Sequence, residues 1–174
     1  MAATASRQRA IRRFTAIKDA PCGRKVHGTM PNSEYPDDLA MTDSVFTRIL
    51  RREIPAAIVY EDDQVSAFMD AGQVNPGHVL VATRRQVETF VELEESEAAH
   101  LFAVAHRVAK AVQAEFRPEG MTLLQTNRPA GWQTVPHVHV HVLPRHEGDG
   151  ADLVWPRKDP PLAELQALAA RSRL

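Results

Sequence analysis

The sequence predicts an α+β fold: an antiparallel sheet of about five strands, with one long helix and a short N-terminal helix. Three observations carry this. Five short apolar or alternating segments are bounded by turn residues. One stretch, about 94–116, keeps an apolar stripe near the 3.6-residue period. The strands follow one another through short turns except where that helix intervenes, which suits antiparallel pairing.

In chain order, the first regular signal comes just after Met41. Thr42 or Asp43 is placed to cap a short helix, with Phe46, Ile49 and Leu50 on one side and Pro55 as the stop. Residues 57–60 and 64–69 read as a hairpin turned by Glu61-Asp62-Asp63. Asn75-Pro76-Gly77 is a turn, and 78–83 is the third strand. The long helix places Leu101, Val104, Val108, Val112 and Phe116 on its core face, with Ala105 and Ala111 alongside. Residues 121–126 and 137–143 are two further strands, with Pro144 ending the second. Between them lies an exposed connection holding Pro129, Gly131 and Pro136. Pro160-Pro161 opens a tail helix with Leu162, Leu165 and Leu168 as its stripe.

Composition narrows the function classes. The chain has 174 residues, 44% hydrophobic and 25% charged, ordinary values for a globular protein. With 21 Lys+Arg against 22 Asp+Glu the formal charge is -1, so nucleic acid is not a leading partner. No stretch is apolar enough for a membrane span. Cys22 is the only cysteine, which excludes an internal disulfide and a cysteine-based zinc site. A reduced, cytoplasmic setting fits this usage. The charge is uneven: residues 1–30 carry seven Lys or Arg against Asp19 alone. Residues 1–40 show no sustained apolar periodicity and read as a disordered basic extension. A translation start at Met41 and a basic targeting or nucleic-acid-binding arm are the competing accounts of that segment.

The informative run is His137-Val138-His139-Val140-His141-Val142-Leu143-Pro144-Arg145. In a strand, period two sends the three histidines to one face and the valines to the other. A valine face suits a core. Three titratable rings in a row do not, since each needs hydrogen-bond partners if buried. Two chemistries compete at this level. One is a metal site, because alternate histidines can converge on zinc or copper. The other is nucleophilic catalysis by one ring, with neighbours binding charge. The row spans about 13 Å end to end. One ion with bonds near 2.0–2.1 Å cannot easily collect all three rings.

These residues resemble the signature of the histidine triad (HIT) superfamily, alternating His and apolar positions. Gln133-Thr134-Val135 stands at that family's approach to the triad. The run from Phe46 to Pro55, the Tyr60-Glu61-Asp62-Asp63 turn and Val74-Asn75-Pro76-Gly77-His78 resemble its opening helix and first hairpin. The similarity runs in order over about 43–146. It implies an α+β HIT-like fold and a homodimer, with a HIT domain at 41–150 and a C-terminal tail with a helix at 151–174. It also implies hydrolysis or transfer of nucleotidyl groups through a covalent nucleotidyl-histidine, with no cofactor and no catalytic metal. The substrate class is nucleoside phosphoramidates or dinucleoside polyphosphates, with a purine, adenosine, on the retained side.

Carried over residue by residue, the resemblance makes His139 the nucleophile, His141 a phosphate-oxygen ligand and His137 the residue that orients the nucleophile. Gln133 becomes a ligand near the scissile bridge. Asp70 takes the place of the ribose contact, Phe46 and Ile49 that of the base pocket, Asn127 that of a phosphate contact and His78 that of a histidine behind the triad. From the residues alone, Asp70 reads equally as a turn former, Phe46 and Ile49 as plain core, and His78 as a satisfied core histidine. Two departures stand out. Trp132 occupies a position usually held by glycine, where positive φ is costly for a large residue; the expectation is a changed loop or an indole that shapes the leaving-group side. Thr47 and Gln86 replace zinc ligands of some bacterial relatives, so no structural zinc is expected. A nucleotide-binding module with vestigial catalysis, and a metalloprotein, are the rival readings.

Overall fold

The computed structural model describes residues 42–152, 154 and 156–173. The expectations for residues 1–40 lie outside these. Helix α1 is Val45–Leu50. Its cap is Ser44, not Thr42 or Asp43: the Ser44 hydroxyl accepts the Thr47 N–H at 3.0 Å, while the Asp43 carboxylate pairs with Arg51. The helix ends well before Pro55, because Arg52 turns the chain back at φ 63°.

Strands β1 (Ile58–Glu61), β2 (Val65–Met69) and β3 (Val79–Thr83) form an antiparallel meander. Helix α2 (Glu95–Phe116) opens with a reciprocal capping box between Glu94 and Glu97. It is followed by β4 (Gly120–Gln125) and β5 (His139–Arg145), and by α3 (Leu162–Arg171), whose leucines are exposed. The five strands make one antiparallel sheet in the order β1-β2-β3-β5-β4. The histidine strand is therefore central, between β3 and β4.

Strand β5 differs from its expected bounds. It starts at His139 and runs through Pro144 to Arg145. Proline is tolerated there because β3 has already ended: the last β3–β5 pair is Val79 with Val142. Pro144 turns its backbone polar side toward that gap, where its carbonyl accepts from Asn75 Nδ2 at 2.8 Å. The missing N–H then breaks no ladder bond.

The sheet has two apolar faces. On one, Leu101, Val104, Ala105, Val108 and Val112 of α2 pack on Val65, Ala67, Val79, Val81, Val138, Val140 and Val142. On the other, Phe46 and Ile49 of α1 join Phe68, Leu80 and Ala82. Phe116 leaves the stripe expected for it. It is 39% exposed and lies over Gly77, whose φ of 94° and closeness to that ring admit no side chain.

Candidate active site

The valines of the row feed the α2 core, and the histidines share the opposite face with α1. His139 pairs across the ladder with Ala82 and His141 with Leu80. Since directly paired residues share a face, both rings emerge beside the Phe46 cluster. The Phe46 ring meets His139 edge-on at 4.9 Å and His137 at 5.7 Å. His139 and His141 centroids are 4.9 Å apart, and His141 stacks on His78 at 5.2 Å.

His139 is nearly buried, and its Nδ1 lies 2.7 Å from the carbonyl oxygen of His137. A carbonyl only accepts, so Nδ1 carries the proton and Nε2 is left with a lone pair. Burial lowers the basicity of this ring, opposed by that hydrogen bond and by Asp70. It is a neutral imidazole at neutral pH, the form that can attack an electrophile.

His137 touches His139 through its backbone; its ring is occupied elsewhere. The ring is fully buried, with Nε2 donating to the Thr83 carbonyl at 2.7 Å and Nδ1 accepting from the Ser44 hydroxyl at 2.6 Å. Ser44 thus joins the α1 cap to the triad. Around it, the Thr47 hydroxyl donates to Gln86 Oε1, and the same oxygen accepts the Ser44 N–H at 2.8 Å. Three of these four side chains offer neutral hydroxyl or amide oxygens. Such groups are poor zinc ligands and here satisfy one another.

Gln133 and Asn127 are brought to the same end of the sheet, but their amides serve the loop. Gln133 Oε1 accepts the Arg128 N–H at 2.6 Å and its Nε2 donates to the Glu88 carbonyl at 2.7 Å. Asn127 Oδ1 accepts the Phe90 N–H at 2.6 Å, and its Nδ2 donates to Gln125 Oε1. In these bonds both act as braces of the 127–133 loop. The brace has a strained loop to hold. Arg128 sits at φ 58° and ψ 163°, and Trp132 at φ 71°. Positive φ, costly for a large side chain, is nonetheless what Trp132 adopts. The left-handed turn closing Pro129–Gly131 is kept, and a tryptophan bears a penalty of roughly 1–2 kcal/mol.

Phe46 and Ile49 are 5% and 8% exposed, core residues in the first instance. Half-buried Ile54, Ile58 and Val135 pack against their cluster and form its open margin. Phe68, 5.4 Å from Phe46, belongs to this wall and was not singled out from the sequence. Its place in the alternation of β2 was the available signal.

Asp70, at the end of β2, and His78, just before β3, are held together by their loop. The Asp70 N–H bonds the His78 carbonyl at 3.0 Å. Gln73 clasps both ends, donating to the carbonyls of Asp70 and His78 and accepting the N–H groups of Gly77 and His78. His78 Nε2 lies 3.0 Å from His141 Nδ1. Asp70 Oδ2 lies 3.4 Å from His78 Nδ1, a buried nitrogen with no hydrogen-bond partner of good geometry. Burial, then the neighbouring His139 and His78, lower His141 to about 4, with Asp70 opposing. One donor atom from each of Asp70, His78 and His141 falls within 4.8 Å of the others. The two imidazoles, however, spend their facing nitrogens on each other, so they read as a hydrogen-bonded pair and not as ion ligands.

Fold and site define a class: an α+β protein with a row of histidines on a central strand, a neutral imidazole at its middle and an apolar wall beside it. Comparison with known proteins agrees. The HIT domain family model matches residues 51–148. Protein hit of Bacillus subtilis is 38% identical over 112 residues, covering 64% of this chain and 77% of that protein. A HIT family protein from Bacillus anthracis superposes with a TM-score of 0.70 at 37% identity, over 73% of this chain and 92% of the other. A hypothetical histidine triad nucleotide-binding protein from Sulfolobus tokodaii gives 0.57 at 30%, over 72% and 86%. The chain belongs to the HIT domain family.

Proposed function

We propose that this protein is a nucleotidyl hydrolase or transferase that acts on nucleoside phosphoramidates or dinucleoside polyphosphates through a covalent nucleotidyl-His139. Family membership supports a nucleotide-binding hydrolase or transferase, and the Sulfolobus tokodaii relative carries nucleotide binding in its name. The observation that carries the reading is the tautomer of His139: Nδ1–H is held by its own strand, so the lone pair is on Nε2. A neutral, oriented imidazole on a rigid strand needs no deprotonation before it attacks phosphorus in line.

The first displacement forms the phosphorus–Nε2 bond and releases the leaving group. Water then cleaves that bond and restores His139. His141 faces the phosphoryl oxygens. Gln133 acts from the loop that flanks the scissile bridge, Asn127 from the same loop near phosphate, and Asp70 from the ribose side. A purine, adenosine by preference, seats on the margin of the Phe46 and Ile49 wall. Two copies pair, covering the exposed Phe102, Phe116 and Leu123 on α2 and the β4 edge. The setting is the cytoplasm. Among the described residues no helix is long and apolar enough to cross a membrane.

The test is a rapid quench of wild type with adenosine phosphoramidate and with diadenosine polyphosphate, under alkaline denaturing conditions that preserve a phosphorus–imidazole bond. Mass spectrometry should place one adenylyl group on the peptide containing His139, and His139→Ala should abolish it. Full turnover by His139→Ala would refute the proposal. Binding of adenosine monophosphate with no turnover of either substrate would assign a binding module instead.

A further inference from the structure

Arg128 holds a backbone conformation that almost only glycine adopts, φ 58° with ψ 163°. Pro129 accounts for the ψ, since the residue before a proline is pushed to extended values. The loop accounts for the φ. The Arg128 N–H donates to Gln133 Oε1 at 2.6 Å, and its carbonyl accepts the N–H groups of Gly131 at 2.9 Å and Gln133 at 3.1 Å. Glycine would meet each of these backbone demands without strain. An arginine kept there points to a task for its side chain.

The surroundings of that side chain narrow the task. Strand β4 pairs with β5 up to Gln125 and Val140, and the loop that carries Arg128 leaves β5 from that side. On the other side the Val87 carbonyl accepts the Val138 N–H at 2.8 Å, which sets Glu88 beside the same end of the histidine row. Arg128 and Glu88 clamp the two ends of the Gln133 amide through their backbones. Their side chains also meet, Arg128 Nη1 to Glu88 Oε1 at 3.4 Å. That ion pair is long. Arg85 grips Glu97 at 2.9 and 2.5 Å, and Arg145 grips Asp149 at 2.7 and 2.9 Å, each with two nitrogens. Arg128 is half-exposed and holds its carboxylate loosely, so its charge can turn to a ligand.

We propose that Arg128 and Glu88 form a charge filter on the leaving-group side, which favours a polyphosphate leaving group over a neutral amine. This deepens the nucleotidyl-transfer reading above and rests on it, because that reading puts the Gln133 loop beside the scissile bridge. A polyphosphate offers the guanidinium several anionic oxygens, against one long contact with Glu88. An amine leaving group offers none, and the pair stays closed. Glu88 sets the threshold. As the competing carboxylate it holds Arg128 back, and it repels anions too weak to win the arginine. The two residues act on specificity, and the chemistry at phosphorus stays with His139.

The test compares Arg128→Gly and Glu88→Gln with wild type on two adenosine substrates, diadenosine tetraphosphate and an alkylamine phosphoramidate. Arg128→Gly should lose about tenfold in kcat/KM on the first and less than about twofold on the second. Its Tm should be no lower than that of wild type, since the strain is relieved. Glu88→Gln leaves the backbone carbonyl to Gln133, and should gain about threefold on the tetraphosphate and less than about 1.5-fold on the phosphoramidate. Added salt should lower kcat/KM on the tetraphosphate more in wild type than in Arg128→Gly. Equal losses on both substrates would overturn the proposal. So would a lower Tm in Arg128→Gly, the mark of a merely structural arginine, or a Glu88→Gln protein no better than wild type on the tetraphosphate. If wild type forms no adenylyl-His139, the failure lies with the nucleotidyl-transfer reading. Titration with diadenosine tetraphosphate and with adenosine monophosphate then decides the filter. Arg128→Gly should bind the first about tenfold more weakly and the second unchanged; equal affinities in wild type and variant would overturn it.

Discussion

The hydroxyl of Ser44 couples the start of α1 to the histidine row, so its removal should be felt well beyond one helix cap. It accepts the Thr47 N–H at 3.0 Å and donates to His137 Nδ1 at 2.6 Å, and His137 is fully buried. In Ser44→Ala the cap loss costs about 1 kcal/mol. The stranded ring nitrogen adds a penalty of roughly 1–3 kcal/mol, because the ring is fully buried with Phe46 edge-on against it. The expected destabilisation is about 2–4 kcal/mol. For a domain of this size that corresponds to a fall in Tm of about 6–15 °C. Urea and thermal unfolding measure it. Ser44→Gly separates the two contributions. Glycine caps a helix nearly as well as serine, and the Ser44 backbone, at φ -64° and ψ 160°, makes no special demand. If the stranded nitrogen dominates, Ser44→Gly stays destabilised by about 2 kcal/mol. A Ser44→Gly protein within about 0.5 kcal/mol of wild type would refute the coupling and reduce Ser44 to an ordinary cap.

Three further outcomes follow from the same coordinates. Gly77→Ala should destabilise by about 2 kcal/mol or more, from positive φ and from a Cβ placed 2.6 Å from the Phe116 ring; Phe116→Ala in the same chain should recover the steric part only, as chemical denaturation of the double variant would show. Stability should fall on mild acidification. Burial holds His78, His137, His139 and His141 below the ordinary histidine value, with His141 at about 4. The unfolded chain then binds more protons below about pH 6.5, and stability drops as pH falls from there toward 4, by up to about 1.4 kcal/mol per pH unit for each ring titrating. A urea midpoint unchanged between pH 7.5 and 5 would contradict this. Lastly, Ser44→Cys, Thr47→Cys and Gln86→His together should create a tetrahedral zinc site with His137 Nδ1 as the fourth ligand, since these side chains already meet around one point. Metal analysis should find one zinc per chain and cobalt should give a tetrahedral spectrum; His137→Ala should abolish both.

Much of the architecture was legible in the linear pattern because periodicity is a local property. The 3.6-residue stripe of α2 located its core face at Leu101, Val104, Val108 and Val112, and the alternation of β5 separated Val138, Val140 and Val142 from the histidines before any contact was known. It failed where a neighbour decided the matter. Pro144 reads as a strand breaker in isolation, yet it sits within β5 because β3 stops short of it. Phe116 fits the stripe, yet the turn at Gly77 draws it off the core. Trp132 reads as costly in a left-handed turn, yet it closes one. Gln133, clamped to Arg128 and Glu88, and the Trp132 N–H, bonded to the Pro129 carbonyl, hold it there.

By itself, the amino-acid order determined that three imidazoles would line up on one strand face, that His139 would be the middle one and that valines would anchor the strand from behind. Tertiary structure alone decided which atom of each group is available. The His137 carbonyl, not its ring, orients His139. The amides of Gln133 and Asn127 each give their oxygen and one N–H to bracing the loop, which leaves a second N–H on each. The Asp70 carboxylate lies against His78, whose ring in turn meets His141. The reason is physical: spacing along a chain sets the face to which a side chain points, but a proton's place on an imidazole is set by the partner opposite, and while His139 finds that partner on its own strand, those of His137 and His141 are Ser44, Thr83 and His78, far away in sequence.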